Sequence, residues 1–166
     1  NPYSGTLDGS GFCILEMKIT NELVNPGFFS FLNGSEIKNI CIQGEINFIG
    51  TQVASYIGGF ASKSYNTIFS NCINNIEVNY TNYGYSYIGG FVGIIENTNF
   101  VACINMANIT ASEICGGFIG KAETGENSFL QCINIGNING NNHVAGFVGY
   151  NTDVIFNVKN CINLGE

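Results

Sequence analysis

Cysteines are the residues of this chain whose side chains could do the most chemistry. Seven are present, and five recur at intervals of 31, 31, 29 and 29 residues: Cys41, Cys72, Cys103, Cys132 and Cys161. Cysteines pair as disulfides in oxidising surroundings, and with histidine they bind zinc. No C-x-x-C zinc spacing occurs, so the sequence predicts no metal site. The regular interval indicates that one position of a repeating structural unit holds each cysteine.

The same interval argues against disulfides within this series. Equivalent residues of stacked parallel strands lie about 4.8 Å apart, but their parallel side chains do not present the Cβ geometry that a disulfide needs. An odd number would also leave one cysteine unpaired. We therefore predict a column of free thiols. Cys115 stands where other repeats have Ile57, Ile88 or Val144, which predicts a small core residue, and Cys13 has no assigned place.

Carboxylates are the second candidate for chemistry. Glu123 and Glu126 lie close together near Lys121, and clustered carboxylates do acid–base work or bind calcium in polysaccharide-degrading β-helix enzymes. The chain has two aspartates, Asp8 and Asp153, which are far from this group and from each other in sequence. We interpret the group as a solvated loop. The sequence therefore predicts no catalytic residue and no cofactor.

Other side chains suggest contacts at the surface. His143, the single histidine, takes the repeat position of Tyr56 and Tyr87, and we interpret it as a surface residue. A tyrosine cluster could contact glycans or proteins, or could serve the core or a turn: Tyr80, Tyr83, Tyr85 and Tyr87. Three N-x-S/T sequons mark possible N-glycosylation, at Asn33, Asn79 and Asn108.

Composition defines the elements that must position these side chains. Charged residues are 10% of the chain and hydrophobic residues 45%, with 22 glycines and a net charge of −7. Strand formers and turn formers dominate over helix formers, which predicts an all-β fold. The five basic residues form no stripe that would neutralise phosphates, so we predict no nucleic-acid partner. No apolar run is long enough to span a bilayer, so we predict no membrane insertion of this segment.

The repeats indicate how the strands stack. The segments I-G-G-F, C-G-G-F and V-A-G-F alternate with C-I-N segments, which gives five to six coils of 27–31 residues. Stacking in register would place like residues in columns. The predicted ladders are the five cysteines together with Asn74, Asn105, Asn134 and Asn163, and with Ile42, Ile73, Ile104, Ile133 and Ile162.

Adjacent residues of a strand point to opposite faces, so cysteine and isoleucine cannot both face inward in a straight strand. We favour inward cysteines, because free cysteine is among the most buried residue types. An outward isoleucine stripe would then be an association surface or would be covered by a loop.

The pairing of G-G-F-x-G with C-I-N-x-G-x-I-x-G resembles the GLUG-motif repeat. The best copy joins residues 116–120 to residues 132–140, and the opening residues 2–11 are similar to the lead-in of such arrays. GLUG repeats occur in large surface and secreted proteins, including adhesin-like ones. The resemblance implies a right-handed parallel β-helix in an extracellular protein and brings no catalytic residues with it.

These observations lead to a functional hypothesis. We expect a lead-in or capping coil at 1–25 and an array at 26–166, with coils near 26–56, 57–87, 88–113, 114–142 and 143–166, as a segment of a longer protein. The expected function is a non-enzymatic stalk, fibre or adhesive module outside the cell or on its surface. Its expected partners are further repeats, another copy, or surface glycans and proteins. The alternative is a carbohydrate-binding or carbohydrate-active β-helix domain.

Overall fold

The computed structural model describes residues 1–20, 25–48, 56–81 and 86–166. All regular elements in these residues are β-strands, and every strand pair is parallel. Each strand pairs with a strand roughly one repeat away, so the chain winds as a parallel β-solenoid. This confirms the fold class predicted from the repeats.

The strands group into six coils. Coil 1 holds β1 (Thr6–Asp8) and β2 (Cys13–Thr20); coil 2 holds β3 (Phe29–Asn33), β4 (Glu36–Lys38) and β5 (Cys41–Phe48); coil 3 holds β6 (Tyr56–Gly58), β7 (Ala61–Tyr65), β8 (Ile68–Ser70) and β9 (Ile73–Tyr80). Coil 4 holds β10 (Tyr87–Gly89), β11 (Val92–Glu96), β12 (Asn99–Val101), β13 (Ile104–Asn105) and β14 (Ile109–Ala111). Coil 5 holds β15 (Ile114–Gly116), β16 (Ile119–Thr124), β17 (Glu126–Leu130), β18 (Ile133–Asn134) and β19 (Ile138–Asn139). Coil 6 holds β20 (Asn142–Ala145), β21 (Val148–Asn151), β22 (Ile155–Lys159) and β23 (Ile162–Asn163).

Four parallel sheets run along the solenoid axis. Their strand orders are β1-β4-β8-β12-β17-β22, then β6-β10-β15-β20, then β3-β7-β11-β16-β21, and a fourth sheet built from β2, β5, β9, β13, β14, β18, β19 and β23. Since β20, β21, β22 and β23 are the last strands of these sheets, coil 6 forms one end face of the described structure.

Two ladders of phenylalanine fill the core. One stacks Phe60, Phe91, Phe118 and Phe147 with ring centroids 4.8–5.0 Å apart, and the other stacks Phe69, Phe100 and Phe129 at 5.0–5.1 Å. Rings of the two ladders meet edge to face, for example Phe91 against Phe100 at 5.7 Å. Stacking within a ladder and edge contacts between ladders both suit the charge distribution of aromatic rings.

The corners between sheets use left-handed backbone. Asn39, Asn71 and Asn66 have φ of 52°, 51° and 49°, a conformation that asparagine tolerates better than most residues. Their side chains also bond between coils, with Asn71 Nδ2 donating to Asn39 Oδ1 at 3.2 Å. The left-handed asparagines are thus different from those of the predicted Asn74 to Asn163 ladder, none of which has a positive φ.

The corner between β10 and β11 approaches the centre of the solenoid. A Cβ on Gly90 would overlap the carbonyl oxygen of Gly117 and the Oδ1 of Asn105. Glycine is required there because backbone and amide side chain pass too closely for any other residue.

Coil 2 departs from the predicted columns by one residue. The register pairs Ile42 with Asn74 and Cys41 with Ile73, whereas the motif alignment placed Ile42 over Ile73. Ile37 is paired with Phe69, and Ile42 is fully buried. The prediction for Cys41 and Ile42 is therefore wrong: a strand has period two, so a shift of one residue sends Cys41 to the opposite face.

Candidate functional site

The cysteine column lies inside the solenoid. Cys72, Cys103 and Cys132 are fully buried, while the neighbouring Ile73, Ile104 and Ile133 are partly exposed, and Ile162 in coil 6 is exposed. Their thiols donate to backbone carbonyls, as from Cys72 Sγ to Ile37 O at 3.3 Å. Cys161 continues the column but is only partly buried, because it lies in coil 6.

The first cysteine of the predicted column is instead in a disulfide. Cys13 and Cys41 face each other in register on β2 and β5, with Cα atoms 4.3 Å apart, and are covalently joined. The prediction of five free thiols is wrong for Cys41, since parallel neighbouring strands do bring two cysteines close enough to bond. A signal for this pair was present in the sequence: Cys13-Ile14 repeats Cys41-Ile42 at a separation of 28 residues.

The asparagine ladder joins the last four coils. Asn74 Nδ2 donates to Asn105 Oδ1 at 2.9 Å, Asn105 Nδ2 to Asn134 Oδ1 at 2.8 Å, and Asn134 Nδ2 to Asn163 Oδ1 at 2.7 Å. Because Ile42 takes the next place in coil 2, the buried Asn74 Oδ1 has no hydrogen-bond partner in the described residues. Such a ladder holds the coils in register, as amide stacks do in cross-β structures.

Burial controls the reactivity of most thiols. Desolvation raises the pKa of Cys115 to about 11 and also raises the pKa of Cys103. The pKa of Cys132 is lowered, because a hydrogen bond with the Cys103 side chain stabilises its thiolate. Since the thiolate is the nucleophile, the raised pKa values make Cys115 and Cys103 poor nucleophiles near neutral pH, whereas the lowered pKa of Cys132 favours its thiolate.

The raised pKa of Cys115 predicts a pH dependence of stability. An unfolded thiol ionises near 9.0, whereas the native thiol ionises near 11. The native state therefore keeps a proton that the unfolded state loses, so stability is complete below pH 9 and falls as pH rises toward 11. Cys115→Val fits a column that holds Ile88 and Val144. Between pH 9 and 11, urea titrations should show the wild type losing about 2 kcal/mol more than this variant. Parallel losses in both proteins would contradict the assignment.

The acidic candidates Glu123 and Glu126 have different surroundings. Lys121 Nζ lies 3.1 Å from Glu123 Oε1. Burial, and after it the nearby charge of Glu123, raises the pKa of the Tyr65 phenol. Glu126 is exposed, and its backbone N–H donates to Asn97 Oδ1. Glu123 is thus held in an ion pair with Lys121, whereas the structure leaves the Glu126 side chain exposed.

Aromatic and basic side chains form a mixed strip beside the third sheet. The rings of Tyr56 and Tyr87 stack at 6.0 Å, with Lys63 Nζ 4.7 Å from the centroid of the first ring and Lys121 Nζ 5.1 Å from that of the second. In these cation–π contacts each lysine ammonium group interacts with the face of a tyrosine ring of the same protein. We call these four residues the tyrosine–lysine strip.

The predicted tyrosine cluster is not one surface. Tyr80 is fully buried and its hydroxyl accepts a hydrogen bond from Ser86, while Tyr87 belongs to the tyrosine–lysine strip. Tyr83 and Tyr85 lie outside the described residues.

His143 is exposed, but it does not take the position of Tyr56 and Tyr87. The register continues that column through Ile114 to Asn142, and His143 is the extra residue of a bulge, with φ of 46°. Its ring contacts Tyr150 edge to face at 5.4 Å.

The sequon asparagines differ in exposure. Asn108 is exposed, and its Oδ1 accepts a hydrogen bond from the backbone of Asn137. Asn33 and Asn79 are partly buried and bond to asparagines of adjacent coils, Asn66 and Asn47. A glycan would meet the least obstruction at Asn108.

The columns and sheets define the class of this chain: it is a parallel β-solenoid repeat protein. Among the described residues no group of three or more histidines, cysteines or carboxylates is placed to hold a metal ion. The same residues include no helix that could cross a membrane. No protein-family model matches the chain, and searches of curated proteins and of solved structures found no significant match.

Proposed function

We propose that this chain is a non-enzymatic structural module of an extracellular or cell-surface protein, a rigid stalk or fibre element built by stacking coils. The observation that carries the proposal is the continuity of its interior. Phenylalanine, cysteine and asparagine ladders pass from coil to coil, so the positions that recur in every repeat of these ladders hold the coils together. The resemblance to GLUG repeats agrees with this use.

The disulfide supports the proposed location. Disulfides persist in oxidising compartments and are rare in reducing ones. Cys13 is exposed, so the Cys13–Cys41 bond would meet cytosolic reductants directly. An extracellular site for the protein fits a bond of this kind better than a cytosolic one does.

The end face of coil 6 supports assembly. Its strands are the last of the four sheets. Val158 and Val144 continue the columns of the buried Phe129 and Cys115, yet they are 58% and 41% exposed because no further coil covers them in the described structure. Coil 1 exposes Phe12 and Leu15 at the other end of the molecule. Strand edges with apolar neighbours are templates for further strands. A head-to-tail contact between two different faces, stacked along the solenoid axis, does not close into a ring, so it would continue as a filament of copies of this chain.

Sedimentation velocity over a wide concentration range, followed by electron microscopy, tests this assembly. We expect the apparent mass to rise with concentration and rods of one solenoid width to form. The double variant Val158→Lys and Val144→Lys should remain monomeric, because it places charge on the coil 6 face.

Ile68→Lys is the matched control, since Ile68 is 47% exposed but lies in coil 3. This variant should assemble like the wild type. A wild-type chain that remains monomeric at every concentration, or equal disruption by Ile68→Lys, would contradict assembly through the end face.

Carbohydrate binding, the alternative, has less support. The stacked rings of Tyr56 and Tyr87 are the surface that a sugar ring would use, but Lys63 and Lys121 already lie over them. A sugar would have to displace both cation–π contacts before it could stack.

A further inference from the structure

The last two cysteines of the column are adjacent in register. β18 and β23 pair Ile133 with Ile162, and the residues just before these are Cys132 and Cys161. The backbone N–H of Cys132 donates to Cys161 Sγ at 3.4 Å. Neighbouring parallel strands lie about 4.8 Å apart, which falls within the Cα separation that disulfides accept.

The chain already contains a disulfide of this type. Cys13 and Cys41 also face each other across two parallel strands of successive coils, and they are bonded at a Cα separation of 4.3 Å. Neighbouring coils of this solenoid can therefore be joined through in-register cysteines without leaving the parallel arrangement.

Access separates Cys161 from the rest of the column. Cys72, Cys103 and Cys132 are fully buried, and so is Cys115 outside the column, while Cys161 is partly exposed in coil 6. A small disulfide in solution can therefore reach one thiol of the column first, and the buried Cys132 lies next to it.

We propose that Cys132 and Cys161 form a redox-active thiol pair that small disulfides, such as oxidised glutathione, convert to a second inter-coil disulfide. This bond would fasten coil 6 to coil 5 as Cys13–Cys41 fastens coil 1 to coil 2.

The reaction is two successive thiol–disulfide exchanges. The Cys161 thiolate attacks one sulfur of the small disulfide, which breaks its S–S bond, forms a mixed disulfide and releases one thiol. The Cys132 thiolate then attacks Cys161 Sγ and releases the second thiol. The protein loses two electrons and two protons, and the small disulfide takes up both as it becomes two thiols.

The environments of the two sulfurs fit these roles. The hydrogen bond with Cys103 lowers the pKa of Cys132, which favours the thiolate that resolves the mixed disulfide. Burial raises the pKa of Cys161, so the first exchange should be the slow step and should accelerate as pH rises.

Incubation of the folded 166-residue chain with oxidised glutathione, followed by intact mass and peptide mapping, tests the proposal. We expect the wild type to lose two hydrogens and to yield a Cys132–Cys161 cross-linked peptide, while Cys72, Cys103 and Cys115 stay free. Cys161→Ser should not react. Cys132→Ser should accumulate a glutathione adduct on Cys161, because no resolving thiol remains.

Cys72→Ser, a buried change in the same column, is the control and should oxidise like the wild type. Circular dichroism of each variant verifies that it is folded. If a buried substitution prevents folding, the wild-type product and the variant Cys161→Ser, at a partly exposed position, still test the proposal. A stable glutathione adduct on the wild type, a disulfide between two chains through Cys161, or oxidation that also involves Cys72 or Cys115 would each overturn the proposal.

Discussion

Phe100→Ala is expected to destabilise the solenoid by about 3–5 kcal/mol, the usual range for loss of a buried phenylalanine. Phe100 is fully buried and stacks on Phe69 at 5.0 Å and on Phe129 at 5.1 Å. Its edge also meets Phe91 and Phe118 of the second ladder. Removing the ring leaves a cavity that neighbours held in register cannot fill. Urea unfolding followed by circular dichroism measures the loss.

Val158→Ala is the matched control for this prediction. Val158 pairs with Phe129 and so occupies the same column two coils later, but it is 58% exposed. Its truncation should cost less than about 1 kcal/mol, as exposed substitutions usually do. If Phe100→Ala and Val158→Ala destabilise equally, the phenylalanine ladder is not the core of the protein.

Asn105→Asp is expected to cost about 3–5 kcal/mol at neutral pH, the range for a buried charge without a partner. Asn105 is fully buried, receives a hydrogen bond from Asn74 and donates to Asn134 and to Ala107 O. A carboxylate has the same size but cannot donate, so its second oxygen would face two acceptors. The substitution therefore tests hydrogen bonding and charge without opening a cavity.

The same variant should regain stability in acid. Burial raises the pKa of a carboxylate, and the protonated form can donate a hydrogen bond again. Because the folded pKa would be raised, the recovered stability is complete below the unfolded pKa of about 3.9 and is lost as pH rises through the folded pKa. The difference in unfolding free energy from the wild type should thus shrink between pH 7 and pH 4.

Asn108→Asp is the control for the asparagine prediction. Asn108 is exposed, and its Oδ1 acts as an acceptor for the Asn137 N–H, a role that a carboxylate keeps. It should change stability little at either pH. An Asn105→Asp protein as stable at pH 7 as Asn108→Asp would show that the ladder does not hold the coils together.

The sequence was sufficient to predict the solenoid because repeat spacing reports stacking directly. Cys72 to Cys161 and Asn74 to Asn163 recur at intervals that match the observed registers. The repeat spacing did not predict coil 2 correctly, because its Cys-Ile pair is shifted by one residue relative to the other coils. Cys41 therefore bonds to Cys13, and Ile40 and Ile42 are buried instead of the cysteine.

The contacts at the candidate sites were less predictable than the fold, because they join side chains of different sheets and do not follow the repeat spacing of the sequence. The tyrosine–lysine strip joins Tyr87 of the second sheet to Lys121 of the third, 34 residues later in the chain and in the following coil. A linear motif carries no signal for such a contact. The bulge at His143 is a local irregularity of the backbone that the repeat spacing does not predict. Because of it, Asn142 and not His143 continues the column of Tyr56 and Tyr87.

The paired strands and asparagine bonds of this molecule link each coil only to its immediate neighbours, so its cohesion is one-dimensional. Loss of structure in such an array begins at an end and proceeds inward. The two ends are unequal, since a covalent bond ties Cys13 to Cys41 at one of them while Ile155 and Leu164 are largely solvated at the other. Local unfolding should therefore be more frequent at the coil 6 end than at the coil 1 end, and backbone amide hydrogens should exchange with solvent fastest in coil 6.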